Sequence, residues 1–197
     1  MFKFLNFIFP SLFFKIKSRG GLIGAGTHVT YPYKIAPTKK NRKNFLKIGN
    51  NVRIGKGFWI SMIDEYKNNS YEPYLEIGDG CSFGEDMTIG CCSKVKIGKN
   101  VLAAARVLIS DTTHEYANIE IPPIDQPLSK GLIDIGDNCF LGINSCIINC
   151  KLGRHVIVGA NAVVTKDVPK YSIIAGAPAK IIKKYNFDTK KWEKTME

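Results

Sequence analysis

The chain has 197 residues, 45% of them hydrophobic, so it is long and apolar enough to bury the core of one folded domain and is not a disordered chain. Its 28 Lys and Arg residues outnumber its 17 Asp and Glu residues, and the net charge of +11 favours an anionic partner: nucleic acid, a phosphate-rich small molecule or a membrane surface. The six cysteines form no CxxC pair and no Cys/His set at zinc spacing, which indicates free thiols in a reducing cytoplasm.

Residues 1–20 form an apolar and basic N-terminal segment with the sequence MFKFLNFIFPSLFFKIKSRG. A lysine followed by an apolar run is typical of a signal peptide, but basic residues replace the small residues of a cleavage site, and Pro10 interrupts the run. The run is also shorter than the roughly 20 apolar residues of an ordinary transmembrane helix. Two interpretations stay open: a hydrophobic helix packed on the domain or on a neighbouring subunit, and an interfacial helix with its lysines on lipid headgroups.

A six-residue pattern starts weakly at Ile23 and then recurs through most of the chain. Its first position is aliphatic, its second is often Gly, and its fifth is small or β-branched. The windows that show all or most of this pattern are IGNNVR, IGKGFW, IGDGCS, FGEDMT, IGCCSK, IGKNVL, IGDNCF, LGINSC, LGRHVI and VGANAV. So many windows obeying one rule predict a solenoid of short parallel strands.

In such a solenoid, three hexads close a triangular coil of about eighteen residues, and successive coils stack at the strand separation of roughly 4.8 Å. The first and fifth positions point inward, the fifth near a corner where only a small side chain fits. Cys81 and Cys139 occupy fifth positions and are therefore predicted to fill the core and not to bind metal. The C-terminal sequence AKIIKKYNFDTKKWEKTME is interpreted as a helix that covers one end of the stack.

Two segments interrupt the repeat. Residues 62–74 carry charges, asparagines and a proline, and residues 115–130 form a proline-rich stretch. Both are predicted to be loops that project from the rigid coils, where function is often located.

The second loop begins directly after His114, in the sequence ISDTTHEY. Ile109 is a first position and Thr113 a fifth, so His114 lies outside the core at a corner. An imidazole at such a loop root is well placed to act as a general base near neutral pH. Position alone nevertheless favours an ordinary surface histidine.

The hexads resemble those of the hexapeptide-repeat acyltransferases, a family with a left-handed parallel β-helix. The similarity runs from about Ile48 to Ile182 and is greatest with the O-acetyltransferases of maltose, galactosides and bacterial surface polysaccharides. The ending VVTKDVP…AGAPAKII is its most characteristic part. The resemblance implies a homotrimer with an acyltransferase domain at residues 21–182, followed by a basic tail or helix at residues 183–197.

The resemblance also implies a catalytic segment similar to SDxxHxY, which Asp111, His114 and Tyr116 match. His114 would be the general base, Tyr116 would contact the acceptor, and Asp111 would either orient the imidazole or serve only as a turn residue. Thr112 stands where relatives often carry a second histidine, so any role of that histidine is missing here.

The donor implied by the family is acetyl-CoA, held between two subunits, and no metal is expected. The positions that match the donor site are Gly142, Ala160, Thr165, Lys166 and Lys180. From the residues alone, the lysines could simply be solvated, and the small residues could merely satisfy the repeat.

The resemblance thus implies O-acetylation of a sugar hydroxyl, in a surface polysaccharide or in its lipid-linked or nucleotide-linked precursor. The enzyme would lie in the cytoplasm, with peripheral membrane contact through residues 1–19 left open. Other functions of the same fold stay as alternatives: N-acetylation of an amino-sugar nucleotide, a non-catalytic binding module, and a γ-type carbonic anhydrase. The carbonic anhydrase is disfavoured because His28, His114 and His155 do not have the spacing of a metal site. A nucleic-acid partner is disfavoured as well, because the sequence contains no basic helix and no aromatic–basic platform.

Overall fold

The computed structural model describes residues 21–36 and 45–195, and its strands visit three parallel sheets in a fixed, repeating order. We name these sheets face A, face B and face C, in the order in which the chain passes through them. Each complete coil gives one strand to every face, and each strand pairs in parallel with its counterparts in the neighbouring coils. The prediction of an all-β chain of stacked parallel strands is therefore confirmed.

Six complete coils lie within the described residues. The first three contain β1 (Leu22–Ile23), β2 (His28–Val29) and β3 (Tyr33–Ala36); β4 (Leu46–Ile48), β5 (Arg53–Ile54) and β6 (Phe58–Met62); then, after the short hairpin β7 (Glu65–Tyr66) and β8 (Asn69–Ser70), β9 (Tyr74–Ile77), β10 (Ser82–Phe83) and β11 (Thr88–Cys91). The next three contain β12 (Lys94–Ile97), β13 (Leu102–Ala103) and β14 (Leu108–Ser110); β15 (Leu132–Ile135), β16 (Phe140–Leu141) and β17 (Cys146–Ile148); and β18 (Lys151–Leu152), β19 (Ile157–Val158) and β20 (Val163–Val164). A seventh, partial coil adds β21 (Ser172–Gly176) to face B.

The turns between the faces form three edges that run along the solenoid. The A–B edge joins faces A and B, the B–C edge joins faces B and C, and the C–A edge leads from face C into face A of the next coil. In the fifth coil these turns fall at residues 136–139, 142–145 and 149–150, respectively. Because the coils stack in register, side chains at one edge form a column whose members are about 4.8 Å apart along the axis.

The core is a set of side-chain ladders that follow the hexad rule. On face A, the first-position residues pair in register from coil to coil and are buried: Ile48, Ile77, Ile97, Ile135 and Leu152. The fifth positions that follow them are also buried: Val52, Cys81, Val101, Cys139 and Val156. The prediction that Cys81 and Cys139 are core residues is confirmed, and burial raises the pKa of both thiols to about 11.

The predicted C-terminal helix is wrong. The chain instead forms an antiparallel hairpin of β22 (Ala179–Asn186) and β23 (Lys191–Lys194), which extends face B beyond β21. The open edge of β21 offers unpaired backbone groups, and Ile, Tyr and Trp in the segment favour a strand. Ala179 and Ile181 pack against the core, so the hairpin covers this end of the stack.

Both predicted loops leave the solenoid, but each has structure of its own. The β7–β8 hairpin lies within the segment at residues 62–74, and a 3₁₀ turn at Pro123–Asp125 lies within the segment at residues 115–130. The N-terminal segment at residues 1–20, to which we assigned a helix, lies outside the described residues. Within residues 21–36 and 45–195, no helix has the length and apolar character needed to cross a bilayer.

Candidate active site on two edges of the solenoid

Both excursions from the repeat leave from the C–A edge. The first follows β6 and the second follows β14, two coils further along, with the tight turn at Cys91–Ser93 between them. Two coil spacings amount to about 10 Å, which short projecting segments can bridge. The two excursions are therefore neighbours in space although some 50 residues separate them in sequence.

The second excursion begins with a narrow antiparallel neck that holds His114. Glu115 donates its N–H to the carbonyl of Pro127 over 2.9 Å, and Ser129 donates to the carbonyl of Thr113 over 2.9 Å. His114 and Leu128 lie opposite each other across this neck and pair as an isolated antiparallel β-bridge. The exposed imidazole thus projects from main chain that is hydrogen-bonded on both sides, so its position is defined although it lies in a loop.

An aromatic ring from the first excursion contacts that imidazole. Tyr66, in β7, meets His114 edge to face, with 5.2 Å between ring centroids and 73° between planes. The Tyr66 hydroxyl donates to the carbonyl of Ile124 over 2.7 Å, and Lys67 pairs with Asp125 over 2.6 Å. The first excursion therefore holds both the imidazole and the tip of the second excursion.

Tyr71 joins the two excursions inside the protein. It is 1% exposed, and its hydroxyl accepts the N–H of Leu128 over 2.8 Å, directly across the neck from His114. Tyr71, Cys92 and Leu128 form a small buried cluster separate from the main core. Sequence analysis missed Tyr66 and Tyr71; the signal was the aromatic residues in YKNNSYEPY, a stretch too polar for a core.

Asp111 does not orient the imidazole in this structure. Its side chain is fully buried, and its two carboxylate oxygens accept the N–H groups of Cys92 over 2.8 Å and Ser93 over 2.9 Å. Burial raises the pKa of Asp111, and these N–H donors oppose the rise. These two N–H groups belong to the turn between β11 and β12, at the end of the preceding coil. The alternative that Asp111 is a turn residue bonding its own local backbone is therefore also wrong.

Tyr116 and the tip of the second excursion lie at the surface. Tyr116 is 75% exposed and borders a depression of about 370 Å³. Gln126 is buried beneath the tip, and its amide donates to the carbonyls of Asn118 and Ile121. Gln126, a third side chain that sequence analysis missed, thus gives the proline-rich tip a fixed shape.

The five residues matched to the donor site lie on two different edges. Thr165 and Lys166 are exposed on the C–A edge, two coils beyond His114. Gly142 and Ala160 lie on the B–C edge, and Lys180 faces Ala175 at the end of that same edge. Face C, roughly 10–15 Å wide for strands of this length, separates the two groups within one chain.

Gly142 has a structural explanation that involves no ligand. A Cβ at this position would lie 2.6 Å from the main-chain nitrogen of Ala160 in the next coil. Ala160 and Lys180 are exposed, and Lys180 borders an open depression of about 700 Å³ beside Gly176 and Pro178. Around Gly142 and Ala160 the B–C edge therefore offers main chain and small side chains to the surroundings, with the Lys180 cation at its end.

The three histidines occupy separate places: His28 in the first coil, His114 at the loop root and His155 in the sixth coil on the A–B edge. In the part of the chain that the structure describes, no group of three or more His, Cys, Asp or Glu side chains is arranged to hold a metal ion.

Comparison with known proteins identifies the repeat and its relatives. Residues 133–166 match the family model described as the hexapeptide repeat of succinyl-transferase. The chain is 37% identical over 124 residues to WbbJ of Escherichia coli K12, a protein named for O-acetyl transfer in lipopolysaccharide biosynthesis; the match covers 59% of this chain and 63% of WbbJ. It is 30% identical over 141 residues to the galactoside O-acetyltransferase of the same strain, covering 68% of this chain and 64% of that protein.

The chain thus spans less than two thirds of the length of these relatives. Among solved structures, AntD, an N-acyltransferase from Bacillus cereus in complex with dTDP and 3-hydroxybutyryl-CoA, superposes with a TM-score of 0.70. The two chains are 18% identical, and the match covers 91% of this chain and 90% of AntD. This likeness establishes a shared fold.

Proposed function

We propose that this chain, which belongs to the hexapeptide-repeat acyltransferase family, transfers an acetyl group from acetyl-CoA to a hydroxyl group of a sugar. One observation carries the proposal: the histidine of the SDxxHxY segment stands exposed at the root of a braced loop. The names of WbbJ and of the galactoside O-acetyltransferase support the same reaction. The left-handed course of the coils is part of the proposal, supported by the family and by the likeness to AntD.

In the proposed reaction, His114 accepts the proton of the acceptor hydroxyl as that oxygen attacks the thioester carbonyl carbon. A C–O bond forms, the C–S bond breaks, and the imidazolium returns the proton to the leaving thiolate. A main-chain N–H at a coil turn would stabilise the tetrahedral oxyanion. Tyr66 would keep the imidazole in one orientation, which was one of the two roles considered for Asp111.

The donor would be held between two chains of a homotrimer. Thr165 and Lys166 share an edge with His114, whereas Gly142, Ala160 and Lys180 lie on the edge across face C. If face C turns toward the threefold axis, the C–A edge of one chain meets the B–C edge of the next. The two lysines would then bind the CoA phosphates, and the main chain at Gly142 and Ala160 would line the slot for pantetheine.

The acceptor would bind between the two excursions, with Tyr116 at its border. A surface polysaccharide, or its lipid-linked or nucleotide-linked precursor, is the acceptor class that WbbJ's name supports. An amino-sugar nucleotide, acylated on nitrogen, is the second candidate, because AntD is an N-acyltransferase with dTDP bound. The chemistry differs only in the attacking atom.

The test is thiol release from acetyl-CoA with sugars, lipid-linked saccharides and amino-sugar nucleotides, for the wild type and for His114→Ala. Removal of a general base is expected to lower turnover by about 10²- to 10⁴-fold, with the oligomer and the fold unchanged. Full activity in the variant would make His114 an ordinary surface histidine. Absence of both turnover and CoA binding in the wild type would favour a non-catalytic binding module.

We further propose that the protein acts in the cytoplasm and that residues 1–19 contact the membrane surface. The apolar and basic composition of this segment and the net charge of +11 support the contact. Flotation with anionic liposomes should carry the intact chain but not a chain that starts at Arg19. Equal behaviour of the two chains would contradict membrane contact through this segment.

A further inference from the structure

The A–B edge, which takes no part in the proposed active site, ends in a pocket lined by aromatic rings. His155 and Tyr171 come from the turns of the last two coils, and Tyr185, Phe187 and Trp192 come from the C-terminal hairpin. Together they surround a cavity of about 190 Å³. Face A separates the A–B edge from the C–A edge, and face B separates it from the B–C edge.

The rings present both faces and edges to the cavity. Tyr185 meets Trp192 and Phe187 edge to face, at 5.3 and 5.1 Å between centroids, whereas His155 and Trp192 lie within 29° of parallel. Phe187 is 61% exposed. Rings packed only to close a core would bury these surfaces, so the arrangement leaves apolar area for a ligand.

The polar atoms of these rings have no hydrogen-bond partner in the part of the chain that the structure describes. Among the residues that the structure describes, no hydrogen bond involves the hydroxyls of Tyr171 and Tyr185, the indole N–H of Trp192 or the ring nitrogens of His155. An open pocket with apolar ring surfaces and free donors and acceptors at its rim is suited to a sugar ring. Such a ring offers C–H groups on its faces and hydroxyls around its perimeter.

The repeat itself fixes the position of two of the rings in this pocket. The fourth position of the hexad on the A–B edge adopts positive φ in every coil, with values of 54–70°. In the first five coils this position holds residues that tolerate such a conformation: Gly26, Asn51, Gly80, Asn100 and Asn138. In the last two coils it holds His155 and Tyr171, whose rings both line the pocket.

The surroundings of the pocket are basic. Of the six lysines in the hairpin region at residues 179–195, Lys180 and Lys184 border the depression at the end of the B–C edge, whereas Lys190 and Lys191 directly precede Trp192 and are exposed. One of the two acidic residues in this region, Glu193, already accepts hydrogen bonds from Asn186 and Thr189. Lys170 lies 5.9 Å from the ring of Tyr171. The ligand is therefore expected to carry negative charge as well as a ring.

We propose that this aromatic pocket binds one sugar ring of an acidic saccharide, as a secondary site for the acceptor chain. The proposal rests on the proposed function, because it takes the acceptor to be a saccharide. A ring bound on the A–B edge would hold a long acceptor near the enzyme while another part of the same chain reaches His114, which raises the effective concentration of the acceptor.

Binding can be measured without acyl transfer, through the fluorescence of Trp192. The chain has two tryptophans, so Trp59→Phe leaves Trp192 as the sole reporter. In this background, tetragalacturonate should give a saturable change that 0.5 M NaCl weakens, whereas the neutral maltotetraose should bind more weakly. His114→Ala should bind as the parent does, which separates failure of this pocket from failure of the proposed catalysis.

The decisive variant is His155→Asn, which gives the sixth coil the residue found at the same position in the fifth. Its melting temperature should equal or exceed that of the parent, because Asn tolerates positive φ, while tetragalacturonate should bind at least tenfold more weakly. Unchanged binding in this variant, or no saturable change with either saccharide, would overturn the proposal. Tighter binding of dTMP than of both saccharides would overturn it in favour of a nucleotide site.

Discussion

The regular coils and the two excursions on the C–A edge gain their structure in different ways. In the coils, each inward residue repeats its neighbour about 4.8 Å away, and stability comes from ladders such as Ile48, Ile77 and Ile97. In the excursions no residue repeats, and the shape depends on single contacts such as those of Tyr66 and Tyr71. The coils thus supply stability, whereas the excursions supply the position of one imidazole.

A change in the coils should therefore affect stability far more than catalysis. Leu141 is fully buried in β16, and Leu141→Ala removes core volume that the rigid stack cannot refill. We expect a loss of about 2–5 kcal/mol in the free energy of unfolding, measured by urea denaturation. Below the unfolding transition, kcat/KM should stay close to the wild-type value; a large loss in the folded protein would contradict this division of roles.

A change in the excursions should show the opposite balance. Tyr71→Phe removes the hydroxyl that accepts the N–H of Leu128 and leaves that buried donor unpaired, at a cost of about 1–3 kcal/mol. Because Leu128 lies across the neck from His114, kcat should fall while KM for the donor changes little.

The matched control for this variant is Tyr74→Phe. It also removes a tyrosine hydroxyl, one that donates to Glu76 over 2.7 Å at the start of β9 on face A, where the chain has rejoined the coils. Steady-state kinetics of both variants should show a loss of kcat for Tyr71→Phe alone. Equal losses would mean that the neck does not position His114.

Asp111 gives the smallest expected effect, on the pH dependence of stability. Burial raises the pKa of Asp111 above its ordinary value of 3.8. A raised pKa in the folded state means that ionisation costs stability, so the contribution of Asp111 falls as pH rises from about 4 through its folded pKa. In Asp111→Asn this pH-dependent contribution disappears.

The measurement is urea unfolding of the wild type and of Asp111→Asn at several pH values between 4 and 8. The free energy of unfolding of the wild type, relative to the variant, should decrease with rising pH. A difference that stays constant, or that grows with pH, would show that the N–H groups of Cys92 and Ser93 outweigh the effect of burial.

Sequence analysis was most successful where one physical rule repeats. The inward direction of Cys81 and Cys139 followed from the hexad alone, and both are buried. The helix expected in the C-terminal segment was wrong because the free edge of β21 lies beside the segment only after folding. Local sequence does not reveal that the edge is open.

The candidate site was only partly predictable for a related reason. The position of His114 at a corner followed from counting hexads, but its contact with Tyr66 joins two non-repeating segments. The role considered for Asp111 failed because the motif says nothing about the turn in the coil below, which its carboxylate binds. The sequence likewise did not show that the matched donor residues lie on two edges.

The most direct test of the account is complementation between two inactive chains. His114→Ala disables the C–A edge, and Ala160→Trp should block the exposed slot on the B–C edge. Each variant alone should be inactive, whereas co-expressed chains should recover about a quarter of the wild-type sites, because random assembly places intact edges together that often. Recovered transfer of that order would support a site shared by two chains; no recovery in mixed oligomers of normal size would contradict it.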